Sequence, residues 1–76
     1  MIKERVMKME DLIDKLEREQ LELSFKISKL TNFLKSDKNK YIDKISIELM
    51  KTQLFFMNEY NDNLLLRIKH LRDLDE

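Results

Sequence analysis

Neither glycine nor proline occurs in this 76-residue sequence. These two residues supply most tight turns and helix breaks, so their absence favours long, uninterrupted helices. A core of fewer than about 80 residues rarely stabilises a fold without a disulfide, a metal or a partner. The chain has no cysteine, and its single histidine, His70, has no companion ligands for a zinc site. We therefore predict helices that gain stability by association.

Apolar residues recur at alternating spacings of four and three in two parts of the chain, which is the heptad pattern of helices that pack against other helices. Each of these two seams contains one polar residue, Gln20 in the first and Asn61 in the second. The first seam consists of Ile2, Val6, Met9, Ile13, Leu16, Gln20, Leu23, Ile27, Leu30 and Leu34, and the second of Ile47, Met50, Leu54, Met57, Asn61, Leu64, Ile68 and Leu71. The pattern predicts an all-α fold, an antiparallel two-helix hairpin that resembles a coiled coil.

Between the seams, residues 36–40 read Ser-Asp-Lys-Asn-Lys. Their side chains compete for backbone hydrogen bonds and disfavour a helix, so they predict the turn. Asp43 is expected to cap the N-terminus of the second helix, and Tyr41 and Ile42 to fold back over the end of the hairpin. The prediction is one helical-hairpin domain over residues 1–76, with helix 1 at about 2–35, the turn at about 36–43 and helix 2 at about 44–73.

Pairing residues equidistant from the turn sets the register between the seams. Leu34 then meets Ile47, and the two polar residues, Gln20 and Asn61, fall in the same layer. An unpaired buried polar group costs about 1–3 kcal/mol, so we expect the two amides to hydrogen-bond or to share a pocket. Such a layer can fix register and oligomeric state or contact a ligand, and the residues alone leave both readings open.

Apolar residues also lie off the seams, and a two-helix hairpin cannot bury a second face. Phe55 and Phe56 point about 100° apart, so at least one of them must contact another chain or stay exposed. The residues off the seams are Leu12, Leu21, Phe25, Phe33, Leu49, Phe55, Phe56, Leu65 and Leu66. This surplus predicts a helical homo-oligomer.

The 15 basic and 15 acidic side chains cancel, so no net field draws the protein to a nucleic-acid polymer or an anionic membrane. No apolar run approaches the roughly 20 residues of a membrane span, and the first residues lack the apolar region of a secretion signal. We expect neither DNA, RNA nor a membrane as a partner, and a cytoplasmic location.

Nucleophilic catalysis needs a positioned histidine, cysteine or activated serine, and this chain has one histidine near its end and no cysteine. We expect no catalytic residues, no metal site and no cofactor. Binding chemistry remains open. The lysines around the turn could contact phosphates or simply be solvated, and the phenylalanines could stack on bases or pack at helix interfaces. The lysines are Lys35, Lys38, Lys40 and Lys44, with Asp37 and Asp43 among them.

Two motifs are more specific than a generic heptad. Residues 26–36 read K-I-x-K-L-x-x-F-L-x-S, and residues 49–60 read L-M-x-x-Q-L-x-x-M-x-x-Y, followed by Leu64, Leu65, Arg67 and Ile68. Over roughly residues 16–70 the chain resembles the hairpin domain of phage anti-CBASS and anti-Thoeris sponge proteins. Those proteins bind the cyclic di- or trinucleotides of bacterial antiphage signalling and hold them away from their effectors. The resemblance implies hexamers with nucleotide pockets between subunits, acting in the bacterial host cytoplasm.

The resemblance also implies ligand-binding residues. A lysine in the ligand pocket of the family corresponds to Lys35. An aromatic residue of the family that stacks on a base corresponds to Gln20, where this chain has a glutamine instead. A hydroxyl group of the family, two residues after that lysine, corresponds to Asp37, and the adjacent Ser36 could supply the hydroxyl instead. From the lysines around the turn we add Lys38, so the predicted ligand-binding residues are Gln20, Lys35, Ser36, Asp37 and Lys38. A different class of function, a structural or regulatory phage protein that binds a host protein through an apolar helix face, is the alternative.

Overall fold

A computed structural model describes residues 8–75 of the chain. Helix α1 spans Met9–Lys35, a short 3₁₀ helix spans Asp37–Tyr41, and helix α2 spans Lys44–Asp75. Residues 2–7 of the predicted first helix, with Ile2 and Val6 of the first seam, lie outside the described residues.

Helices α1 and α2 pack against each other as a hairpin. The chain measures 57 × 23 × 16 Å along its principal axes. A helix with its side chains is about 10–12 Å across, so the two shorter dimensions hold one layer of two helices side by side. The outer faces of both helices are therefore left without a covering element within the described part of the chain.

The core lies along the contact between the two seams. Five residues are buried, and Leu64 is fully enclosed at 0% exposure; the five are Ile13, Leu16, Leu23, Leu64 and Ile68. Met9, Leu12, Ile27, Met57 and Leu71 pack partly buried against them. Every seam residue from Met9 onward is buried or half-buried, so the prediction that the two seams face each other is confirmed.

The polar layer confirms the predicted register. Gln20 Nε2 donates a hydrogen bond of 3.0 Å to Asn61 Oδ1 across the hairpin. Both side chains are half-buried, so each amide meets part of its hydrogen-bonding need inside the contact. Among the described residues, no buried side-chain nitrogen or oxygen lacks a partner.

The turn is built without a left-handed residue, since none of the described residues has a positive φ. Ser36 ends α1 and caps the 3₁₀ helix. Its hydroxyl donates to the Phe33 carbonyl at 2.8 Å and accepts from the Lys38 N–H at 3.3 Å. The Asn39 amide donates to the Leu34 carbonyl. Side-chain hydrogen bonds thus replace the glycine that commonly ends a helix.

Asp43 caps α2, as predicted. Its Oδ2 accepts from the Ser46 N–H at 2.9 Å, and its Oδ1 accepts from the Ser46 hydroxyl at 2.7 Å. These bonds stabilise the ionised carboxylate, and the Ser46 hydroxyl, followed by the Ser46 N–H, lowers the pKa of Asp43 below its ordinary value of 3.8.

The prediction that Tyr41 folds back over the hairpin end is wrong. Tyr41 is 83% exposed, whereas Ile42 is half-buried. In a 3₁₀ helix, side chains three residues apart lie on the same side. Tyr41 is therefore exposed on the same side as Lys38. Ile42, three residues after Asn39, is half-buried like Asn39. The Lys40 ammonium lies 5.8 Å from the centre of the Tyr41 ring.

Within residues 8–75, neither helix combines the length and the apolar character that a membrane crossing requires.

Candidate functional site

Large apolar side chains lie exposed on the outer faces of both helices. On α1, Leu21 and Phe25 are exposed one turn apart, opposite the first seam. On α2, Phe55 and Phe56 are 58% and 62% exposed, and their rings form an edge-to-face pair with centroids 5.4 Å apart. The prediction that at least one of these two rings stays outside the hairpin core is confirmed for both.

Part of this surface forms a second apolar stripe on α2. Its members are Ile45, Leu49, Phe56 and Tyr60, all exposed, and we refer to them as the α2 stripe. Their spacings of 4, 7 and 4 residues place them on one side of the helix. The α2 stripe runs for about 22 Å along the half of α2 that is nearer the turn. An apolar stripe of this kind is typical of a helix that packs against a further helix.

The turn carries an excess of positive charge. Residues 35–44 contain four lysines and two aspartates, a net charge of +2. All four lysines are exposed. The ion pairs observed among the described residues lie elsewhere and join Glu48 to Lys51, Lys69 to Asp73 and Glu17 to Arg72. The turn therefore presents four exposed lysines, of which Lys40 lies over the Tyr41 ring.

An open recess of about 350 Å³ lies where α1 meets the turn. Its lining combines two lysines, an amide, an aromatic ring and a hydroxyl, from Lys29, Asn32, Phe33, Ser36 and Lys38. The first four residues recur at three- and four-residue spacings, which places them on one face of α1 and its cap. Lys38 reaches the recess from the 3₁₀ helix. Cationic, aromatic and amide groups in one place can contact the phosphate, the ring and the polar edge of a nucleotide.

The five predicted ligand-binding residues fall in two places. Ser36 and Lys38 line the recess, and Lys35 and Asp37 are exposed beside it. Gln20 lies in the polar layer, 15 residues before Lys35, which is about 22 Å along the helix. One chain therefore does not bring Gln20 to the lysines at the turn.

Three recess residues were not among the predicted site residues. They are Lys29, Asn32 and Phe33. Their signal in the sequence is the spacing 29, 32, 33 and 36, which marks one helix face. This face is hard to recognise from the sequence, because Phe33 lies next to the seam residue Leu34. In that position it is readily interpreted as a residue that packs at the edge of the helix contact.

A family model described as Sequestin matches residues 10–70 of this chain. The matched segment includes nearly all of α1, the whole turn and α2 as far as His70. It therefore contains the polar layer, the α2 stripe and the recess. A search of curated proteins and a search of solved structures each gave no match.

Proposed function

We propose that this chain, which belongs to the Sequestin family, is a non-enzymatic protein that binds a small ligand and withholds it from other receptors. The family match over residues 10–70 is the observation that carries the proposal. Withholding a ligand requires affinity and a slow release, and it requires no bond to be made or broken.

The ligand that we propose is a cyclic di- or trinucleotide of bacterial antiphage signalling. The motifs at residues 26–36 and 49–60 resemble those of phage sponge proteins, and the turn offers a net charge of +2 to the phosphodiester groups of such a ligand. Lysine suits this task because it meets a phosphate as a point charge without a fixed bidentate geometry. On this proposal, the protein acts in the cytoplasm of a bacterial host, where these messengers are made.

We further propose a homo-oligomer, with a hexamer as the form implied by the resemblance. One observation supports association. The α2 stripe and the Leu21–Phe25 pair are exposed on a single layer of two helices. The resemblance adds a second reason, because a pocket that included both Gln20 and Lys35 would need two subunits, since about 22 Å separates these positions on one helix.

Light scattering at micromolar concentration tests the assembly. We expect a mass that is a multiple of the 9.3 kDa chain. Replacement of Phe56 by Glu should lower that mass, because it places a charge within the apolar stripe, whereas Lys51→Glu changes a neighbouring exposed residue and should preserve it. A wild-type mass near that of one chain would contradict the assembly.

Isothermal titration with a panel of cyclic di- and trinucleotides tests the ligand. We expect saturable binding in the submicromolar range to at least one member. If an assembled, folded protein binds no member of the panel, the proposed ligand is wrong.

That outcome would favour a structural or regulatory protein that binds a host protein through an apolar helix face. The exposed Phe55–Phe56 pair is the observation that supports this second candidate. A purified host protein that binds wild type but not Phe56→Glu would establish it.

A further inference from the structure

The recess beside the turn has the composition of a binding site for one nucleotide unit. Its lining residues are Lys29, Asn32, Phe33, Ser36 and Lys38. Ligand pockets commonly measure about 300–1,000 Å³, so a recess of about 350 Å³ lies at the small end of that range. It has room for part of a cyclic oligonucleotide, while the rest of such a ligand lies outside it.

The electrostatics of the recess favour an anion. Neither Lys29 nor Lys38 forms an ion pair with another residue in the described range 8–75. The C-terminal carbonyls of a helix carry partial negative charge, but here two of them accept hydrogen bonds from the turn. The Phe33 carbonyl accepts from both the N–H and the hydroxyl of Ser36, and the Leu34 carbonyl accepts from Asn39. Lys29 and Lys38 therefore give the lining two formal positive charges, while the formal charges of the neighbouring Lys35 and Asp37 cancel.

The hydrogen bonds of the turn distinguish lining groups that are already bonded within the protein from those that can contact a ligand. The Ser36 hydroxyl donates to Phe33 and accepts from Lys38, so its proton is already committed to the turn. Ser36 is thus a positioning residue that holds the Lys38 backbone against the end of α1. The groups that can face a ligand are the Phe33 ring, the Asn32 amide and the two lysine ammonium groups.

We infer that the recess binds one phosphorylated nucleoside unit, with the base against the Phe33 ring, the base edge at the Asn32 amide and the phosphate between Lys29 and Lys38. The Asn32 amide offers both a donor and an acceptor to a base edge. This inference deepens the proposed function, on which it rests for the identity of the whole ligand. On this inference, the base is recognised at the end of α1 and not in the polar layer, where the Gln20 amide is hydrogen-bonded to Asn61.

Matched variants test these roles with the cyclic nucleotide that binds wild type. Phe33→Leu keeps an apolar side chain but removes the ring, and we expect binding to weaken about tenfold to hundredfold, the range for one stacked base. Lys29→Gln should weaken it by roughly one to two orders of magnitude, as the loss of one charge-assisted hydrogen bond does. Lys15→Gln makes the same charge change outside the recess and should bind like wild type. Circular dichroism and light scattering on each variant establish that fold and assembly persist.

A second measurement separates failure of the recess from failure of the sponge function. Amide chemical shifts of the ¹⁵N-labelled protein are followed during titration with AMP, with GMP and with inorganic phosphate. We expect both nucleotides to shift residues 29–38, and the Lys29→Gln/Lys38→Gln double variant to abolish the shifts. If AMP and GMP act this way while no cyclic nucleotide binds, the recess stands and the proposed function is wrong.

The converse outcomes overturn the recess. If a cyclic nucleotide binds wild type and all the recess variants equally, the sponge function stands without this site. If inorganic phosphate shifts the same amides as strongly as AMP and GMP, the recess holds an anion without reading a base, and the role of Phe33 is wrong. If none of the three ligands shifts residues 29–38, the recess is not a nucleotide site.

Discussion

The two halves of the hairpin differ in how completely they bury their seams. In the half that is distant from the turn, the buried residues are Ile13, Leu16, Leu23, Leu64 and Ile68. In the half near the turn, every seam residue from Ile27 to Met57 is only half-buried. The α2 stripe and the four lysines of residues 35–44 belong to this second half. The distal half therefore contains the buried core of the hairpin, whereas the half near the turn carries the α2 stripe and the exposed lysines of the turn.

The ion pair between Arg72 and Glu17 also lies in the distal half. Arg72 and Glu17 lie 2.6 Å apart and join α1 to α2 in the distal half. Side chains in a helix lean toward its N-terminus, so in an antiparallel hairpin these two long side chains lean toward each other. The pair is substantially exposed and contributes little free energy, as is usual for surface pairs, but it adds a contact between the helices at the end where the core is buried.

The largest expected effect compares two seam leucines, one from each half. Leu64 is fully enclosed, and its replacement by Ala should lower the free energy of unfolding by about 2–5 kcal/mol through lost burial and a cavity. Leu54 is half-buried, so Leu54→Ala should cost less. Thermal unfolding at equal protein concentration measures both. Equal losses would remove the distinction between the halves.

The next effect compares two lysines and is measured by ligand binding. Lys35 is exposed beside the turn, and loss of one charge-assisted hydrogen bond to a phosphate costs about 1.5–3 kcal/mol. Lys35→Ala should therefore weaken cyclic-nucleotide binding by roughly one to two orders of magnitude, with little change in unfolding. Lys15→Ala removes the same charge from the distal half and should leave affinity intact. If the two substitutions weaken binding equally, the turn has no special role.

The polar layer lies within the distal half, close to its boundary with the half near the turn. Gln20→Leu alone leaves the Asn61 amide without its partner and should cost about 1–3 kcal/mol of stability. The double change to Leu removes both amides and should preserve or raise stability while making the assembly less uniform, because a polar pair within an apolar seam helps to specify register. Thermal melts and light scattering measure these outcomes. A double variant less stable than either single one would mean that the layer stabilises the hairpin.

The features that could be predicted from the sequence are those set by the regular spacing of residues along an α-helix and by the position of the turn. The seams, the meeting of Gln20 with Asn61 and the cap at Asp43 all depend on local spacing and on pairing about the turn. Tyr41 was mispredicted because a 3₁₀ helix repeats every three residues, and nothing in Ser-Asp-Lys-Asn-Lys indicates that helix in advance. The recess was missed for a related reason, since its shape depends on where that short helix places Lys38.

The smallest expected effect lies at the cap of α2. The folded-state pKa of Asp43 is lowered, chiefly by the Ser46 hydroxyl. Its ionised carboxylate therefore contributes stability that is present above the ordinary value of 3.8 and is lost as pH falls through the lower folded-state pKa. Asp43→Asn keeps an oxygen acceptor but does not titrate, so the wild-type melting temperature should fall slightly more than that of the variant in this acidic range. If the melting temperatures of the two proteins fall equally with pH, the charge of the Asp43 carboxylate does not stabilise the fold.

Recovery of the ligand tests most directly whether the protein withholds a nucleotide without altering it. Wild type is incubated with the cyclic nucleotide of highest affinity, freed of unbound ligand by filtration, denatured by heat, and the released material is identified by mass spectrometry. We predict that the ligand stays with the folded protein and is released chemically intact. Recovery of a linear or cleaved nucleotide would contradict the account and make the protein a hydrolase, and recovery of no nucleotide would show that the protein does not retain it.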